Sequence, residues 1–570
     1  MPTDETPSAP ARDALQNAEQ LVSAAGAHAR PLREIIALLT EGPHTLASLV
    51  RLSAVSRRGV EAVLEAVGPD LITGEDGIRL RPDRAESYRE RFGYQQLRRV
   101  RLADPLAPAL ERHRSTIDEM DRLIAAAPRG RQALDHVSAT AETVVRRALW
   151  LDATFDLSGA QLLCAGDHDL TSLAVAQVNT GVAITVVDVD ERILEFIDEQ
   201  ARRRGLNIRC LFADFRFGFP SAAKESADLL ITDPPYTPEG VALFLSRGLA
   251  SLRDRELGRL VLAYGFGERQ PTLGLKVQRA IQELHLVYEA ILPDFNSYAG
   301  AQAVGSASDL YVCRPTSRTW KAFDAPARSS APNIYTHGAQ SLEGANAALD
   351  EPTIEALRTA ATGEQDLPLA VLADGWQPSF GNIGHVRLGT LMSSGLPAAI
   401  TRQPSFAVAA DLSADPGPWL LRVLLAVNAE RVVLLVPGEH PDVAGETARR
   451  ELGDLIADKY ALRFRRNEPD SRYALVEAAL VGAPSARLTR QLLDRAHGKI
   501  GNVWRDGLVR FSRDSARGPM TKNAARERIQ LTARRPDLLD ATLIELPRGR
   551  IRELCEEAAA SLENREPSQP

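Results

Sequence analysis

QLLCAGDHDLTSLAVA, residues 161–176, decides how this chain folds. A short apolar run meets an abrupt turn at Gly166 and then a helical stretch, the pattern of one βα unit. The pattern repeats downstream. ITVVDVD (184–190) is a second strand, followed by the helical ERILEFIDEQARRRG (191–205). NIRCLFAD (207–214) and SADLLITDPPY (226–236) are the third and fourth strands, GVALFLSRGLASL (240–252) is a helix, and RLVLAYGF (259–266) is the fifth strand. Upstream, TVVRRALWL (143–151) reads as a helix. Strands separated by helices of this length build a parallel sheet, with its ligand site at the carboxyl ends of the strands. The expected fold class is therefore α/β, with a Rossmann-like sheet over residues 131–322.

Composition frames this reading. A chain of 570 residues exceeds what one core serves. Its net charge of −7 disfavours a general nucleic-acid binder and suits a cationic partner. Four scattered cysteines (Cys164, Cys210, Cys313, Cys555) give neither a disulfide framework nor a zinc signature. The start of the chain lacks the pattern of a signal peptide, and no apolar run is long enough to span a bilayer. The expectation is a cytoplasmic location, no membrane and no metal.

Residues 1–28 read as a disordered tail. Residues 29–84 contain three helical stretches and then LITGEDGIRLRP (71–82), a hairpin signal around Gly74–Gly77, which together read as a winged helix. Residues 85–130 read as a helical linker and 323–365 as another linker. Residues 366–484 form a second α/β segment that runs parallel to the later half of the first. In that register Asp411 matches Asp233 and Glu439 matches Glu268. A degenerate copy and a chance likeness of two α/β segments both remain open. Residues 485–570 read as a helical C-terminal region.

Four strand ends carry the candidate chemistry. ITDPPY ends the fourth strand with Asp233, Pro234 and Tyr236; the prolines stiffen a loop whose acceptors aim an amine nucleophile beside an aromatic wall. GDHDLTS (166–172) sets Gly166, Asp167, His168 and Asp169 in the turn after the first strand. Those acids and the imidazole suit a cationic acceptor and its proton, although Asp169 also suits a helix cap. Asp188 ends the second strand, where an acid accepts ribose hydroxyls, while Asp190 suits a cap of the next helix. Asp214 follows the third strand, in reach of an adenine amino group.

These motifs resemble the branched-chain polyamine synthase family, N4-bis(aminopropyl)spermidine synthases. The resemblance covers about residues 30–320. It rests on DHVSATAETVVRRALWL, LLCAGDHDLTSLAVA, VVDVDERILEFIDE, ADFRFGFP, LLITDPPYTPEGVALFLSRGLASL and NSYAGAQAVGSASDLYVCRP. It implies aminopropyl transfer from decarboxylated S-adenosylmethionine to a polyamine or related amine, releasing methylthioadenosine, and a homodimer. By position it implies that Asp188 and Asp214 hold the nucleoside and that Asp167, Asp169, Asp233 and Tyr236 face the transfer site. Asp135 and Glu142 would line an acceptor channel, with Asp309 as a buttress. The sequence departs from the family at His168, where an acid is expected, and at His136, where an amide is expected. The segment after about residue 320 has no family counterpart.

Two other readings stand beside this one. One is an S-adenosylmethionine-dependent N-methyltransferase or aminocarboxypropyl transferase. A donor that keeps its carboxylate needs a basic partner near residues 166–172, and the sequence shows none there. The other is a non-enzymatic DNA-binding or scaffold protein, built on the winged helix with Arg51, Arg57 and Arg58.

Overall fold

The βα pattern of residues 161–264 closes into one sheet. The computed structural model describes residues 13–94, 104–267, 270–300, 305–324, 333–336, 349–363, 367–373, 383–482, 487–514 and 519–563. After a hairpin of β1 (Leu71–Gly74) and β2 (Gly77–Leu80), the strands of the first sheet are β3 (Gln161–Ala165), β4 (Ala183–Asp188), β5 (Ile208–Phe212), β6 (Leu229–Thr232), β7 (Arg259–Tyr264), β8 (Val287–Ser297) and β9 (Ala307–Arg314). Their order is β5-β4-β3-β6-β7-β9-β8. Strands β3 to β7 pair in parallel, and β9 runs antiparallel to both β7 and β8. The parallel strands are nearly all buried, as strands covered on both faces must be.

A second sheet follows, of β10 (Leu369–Leu372), β11 (Gly384–Val386), β12 (Ala407–Asp411), β13 (Arg431–Pro437), β14 (Tyr460–Arg466) and β15 (Tyr473–Leu480). Its order is β11-β10-β12-β13-β15-β14. The two sheets superpose in connectivity: β10, β11, β12, β13, β14 and β15 take the places of β3, β4, β6, β7, β8 and β9. Among the described residues nothing in the second sheet takes the place of β5. The registers agree residue by residue, with Leu162 beside Leu229 beside Arg259 in one sheet and Leu369 beside Ala407 beside Arg431 in the other. Asp411 thus occupies the station of Asp233. Arg387, one residue past Val386, occupies that of Asp188. The expected Glu439–Glu268 match falls outside the described residues, because Glu268 is not among them.

One apolar cluster runs through both sheets, from Leu163, Leu230 and Leu262 to Val408, Val432 and Val476. Helices 487–494, 500–511, 522–532 and 548–563 close its far side through Leu492, Trp504, Ile529 and Ile551.

Several boundaries move. Within the expected tail, Ala14–Ala24 is a helix, and its Ala18 and Val22 enter the N-terminal core with Ile35, Leu49, Val60 and Tyr88. The expected linker 85–130 is divided between two cores. Phe92 packs into the N-terminal core, whereas Ile117, Met120 and Leu123 of helix Arg114–Ala126 pack on helix Ala141–Thr154. The expected linker 323–365 ends in helix Glu351–Thr362, whose Leu357 packs on the second sheet. Arg57, counted toward a DNA surface, pairs with Glu61 at 2.8 Å.

Candidate active site

The carboxyl ends of β3, β4 and β6 border a cavity of about 460 Å³. Gly166 makes the turn out of β3 with φ of 70°, and a Cβ there would press on the Phe244 ring at 3.3 Å. That turn sets His168 and Asp169 on the cavity wall. Asp188 faces in from the end of β4, and Asp233, Pro234, Pro235 and Tyr236 from the end of β6. Asp135 closes the other side in a left-handed conformation, with φ of 55°. Among the described lining residues there are four carboxylates and neither lysine nor arginine.

A buried cation stands behind this wall. Arg147, on helix Ala141–Thr154, donates from Nη1 to Asp169 at 2.9 Å and from Nη2 to Asp233 at 2.6 Å. Its Nε reaches Asn296 Oδ1 at 2.7 Å. Every nitrogen of the guanidinium is engaged, so the side chain holds two acids in place and offers nothing to a ligand. The helical spacing carries its placement. Residues 144, 147, 148 and 151 lie on one helical stripe, and Val144, Ala148 and Leu151 are core.

One part of the wall is a polar network. Tyr298 OH donates to Asp233 at 2.7 Å and lies 2.9 Å from Tyr236 OH. Burial pushes the Asp233 carboxyl up against the pull of Arg147. Asp169 also accepts the Ala139 N–H at 2.7 Å. The His136 and His168 rings stack with centroids 4.4 Å apart. Burial lowers both imidazoles, His136 to about 3. His168 Nε2 lies 3.3 Å from Ser138 Oγ, and its Nδ1 is buried with no partner among the described residues.

Another part of the wall is an apolar slot of Val189, Ala213, Phe215 and Phe244 beside Asp188. Asp188 accepts the backbone N–H of Asp167 at 2.9 Å and of Asp190 at 2.8 Å, and burial pushes its carboxyl up to about 6. Residues 333–336, inside the expected linker, complete the enclosure. Thr237 Oγ1 donates to the Ile334 carbonyl at 2.7 Å, and Thr336 donates twice to Asp135 at 2.6 Å. Tyr335 lines the cavity between them. Tyr298 lies within the NSYAG stretch at 296–300, whereas sequence patterning gave no sign of Tyr335 or Thr336.

Four expected site residues lie elsewhere. Asp167 turns inward and accepts the Ser172 N–H at 3.1 Å, as a helix cap; burial pushes its carboxyl to about 7. Asp214 faces away from the cavity, clamped by Arg216 and by Trp419 Nε1 at 3.2 Å. Glu142 is exposed and pairs with Arg146 at 3.2 Å. Asp309 accepts the Asp294 N–H at 3.0 Å across β8 and β9. Asp190 caps the helix after β4 through the Arg192 N–H at 3.2 Å.

Sheet order and cavity place the domain among Rossmann-like α/β folds, with its ligand site at the strand ends. The family model described as the branched-chain polyamine synthase A C-terminal domain matches residues 116–325 of this chain. An uncharacterised protein of Methanocaldococcus jannaschii is 36% identical over 189 residues, 33% of this chain and 46% of that protein. A protein of the same organism named N(4)-bis(aminopropyl)spermidine synthase is 29% identical over 195 residues, 33% of this chain and 55% of its own length. The chain thus spans about half the length of these curated relatives. The crystal structure of the branched-chain polyamine synthase from Thermus thermophilus, in complex with N4-aminopropylspermidine and 5′-methylthioadenosine, aligns at 22% identity and a TM-score of 0.37, covering 53% of this chain and 92% of that one. Among the described residues no helix is long and apolar enough to cross a membrane.

Proposed function

We propose that this protein transfers an aminopropyl group from decarboxylated S-adenosylmethionine to a polyamine or related amine, releasing methylthioadenosine. The carrying observation is the cavity wall itself: four carboxylates, no lysine or arginine, and an apolar slot at one end. A sulfonium donor and an ammonium acceptor are both cations, and such a wall attracts both. The family match over residues 116–325 supports the same reading.

Asp188 is positioned for the ribose hydroxyls, and the slot of Val189, Ala213, Phe215 and Phe244 suits the adenine ring. Asp169, Asp233 and Tyr236 would align the acceptor nitrogen. The acceptor ammonium first gives one proton to the His168 imidazole, which frees the nitrogen lone pair. That lone pair attacks the methylene carbon beside sulfur, forming an N–C bond. The C–S bond breaks and its electrons return to sulfur, which leaves as a neutral thioether. Full engagement of Arg147 by Asp169, Asp233 and Asn296 favours this donor over one that keeps its carboxylate.

Calorimetry with methylthioadenosine, S-adenosylmethionine and decarboxylated S-adenosylmethionine tests the reading. Tighter binding of the decarboxylated donor, lost in Asp188→Ala, is the expected result. Tighter binding of S-adenosylmethionine would assign a different transfer.

A further inference from the structure

A second cavity, of about 650 Å³, lies between the two sheets. Its size is that of a small-molecule site. It shares one wall residue, Ala213, with the first cavity. Phe217 and Phe219, from the loop after β5, and Trp419, from the second sheet's side, give it aromatic walls.

Its cations hold donors that the fold does not use. Arg422 is fully buried. It donates from Nη2 to Glu191 at 2.7 Å and to the Leu546 carbonyl at 2.8 Å. Nε and Nη1 have no hydrogen-bond partner among the described residues, and the guanidinium lies 4.0 Å from the centroid of the Phe212 ring. Its charge lies behind the cavity wall and adds to the positive potential there. Arg247 uses only Nε and Nη2, both on the Phe215 carbonyl. Lys224 stands exposed at the rim beside Glu225. The two other acids of the lining are engaged, Asp214 by Arg216 and Glu545 by the N–H groups of Ser221 and Thr542.

We propose that this cavity is a second ligand site, for a planar ring bearing a phosphate or carboxylate, and that its occupancy is felt in the first cavity. The aromatic walls stack the ring, and Lys224 and Arg247 receive the oxyanion. The coupling runs through Arg247. An oxyanion that draws its guanidinium away from the Phe215 carbonyl shifts the loop whose Ala213 and Phe215 form the adenine slot. The coupling rests on the nucleoside reading of the first cavity; binding at the second does not.

The test is titration of the full-length protein with 1-naphthyl phosphate while methylthioadenosine saturates the first cavity. Inorganic phosphate and 1-naphthol probe the two halves separately. The expected result is binding about tenfold or more tighter than either half, weakened about tenfold by Lys224→Gln and abolished by Met392→Trp, which fills the cavity. Methylthioadenosine affinity then changes severalfold with probe, and probe affinity changes by the same factor with methylthioadenosine. Absence of binding to the wild type, or binding indifferent to both variants, overturns the site. Inorganic phosphate binding as tightly as the naphthyl ester removes the ring from the assignment. Should methylthioadenosine itself fail to bind, the first-cavity reading fails, and the probe titration still decides the second.

Discussion

Replacing Arg147 by methionine keeps the length of the stem and deletes the charge. Asp169 and Asp233 then face each other across the space the guanidinium filled, each without its cation. Breaking a buried ion pair from one side costs about 3–5 kcal/mol, and here two acids share one partner. Against a total stability of about 5–15 kcal/mol, the loss is large. The penalty has a pH dependence that a packing defect lacks. With Arg147 gone, the Asp233 carboxyl, already pushed up by burial, rises further above its unfolded value. A raised carboxyl binds protons more tightly in the folded state, so folding is disfavoured progressively as pH climbs from the unfolded pKa through the folded one. The deficit of Arg147→Met should therefore be larger at pH 8 than at pH 5, and Asp233→Asn on the same background should recover part of it. Urea unfolding midpoints of the wild type and the two variants at both pH values measure this. An equal loss at the two pH values, or a loss below about 1 kcal/mol, would refute the argument that Arg147 exists to neutralise the acceptor wall.

The other predictions concern single contacts. Asp188 carries a carboxyl pushed up to about 6, so methylthioadenosine affinity in calorimetry should fall as pH drops through about 6, a step absent in Asp188→Asn. Trp419→Phe deletes the indole N–H on Asp214 and loosens the loop beside the adenine slot; donor KM should rise by up to about tenfold, the worth of one charge-assisted bond, with kcat unchanged. Glu142→Gln should leave the acceptor KM unaltered in steady-state assays, since the carboxylate is exposed and paired with Arg146. A shifted acceptor KM there would restore Glu142 to the acceptor path.

The sequence exposed the parts of the site that strand ends supply. Gly166, His168, Asp169, Asp188, Asp233 and Tyr236 all follow apolar runs that could only be buried strands, and parallel pairing brings such ends to one edge. Spacing could not tell which way a side chain turns within a tight loop. Asp167 and Asp169 are two residues apart, yet one caps a helix and the other lines the cavity. Nor could it foresee partners from distant segments. Asp214 reads as free until Trp419, 205 positions on, takes its carboxylate. The stretch around Ile334–Thr336 is too short for any periodicity, and its contacts with Asp135 and Thr237 are wholly tertiary. The second sheet was harder for another reason. Its strands keep the apolar pattern of the first, while the loop after Asp411 keeps none of the ITDPPY wording.

Arg387 at the station of Asp188 has a consequence for stoichiometry. A ribose presents two hydroxyls that need an acceptor, and the second sheet offers a guanidinium there, which only donates. Two sheets of matching order therefore should not mean two nucleosides. A titration with methylthioadenosine should saturate at about one equivalent per chain, and every active-site count for this protein should be normalised to the chain and not to the sheet.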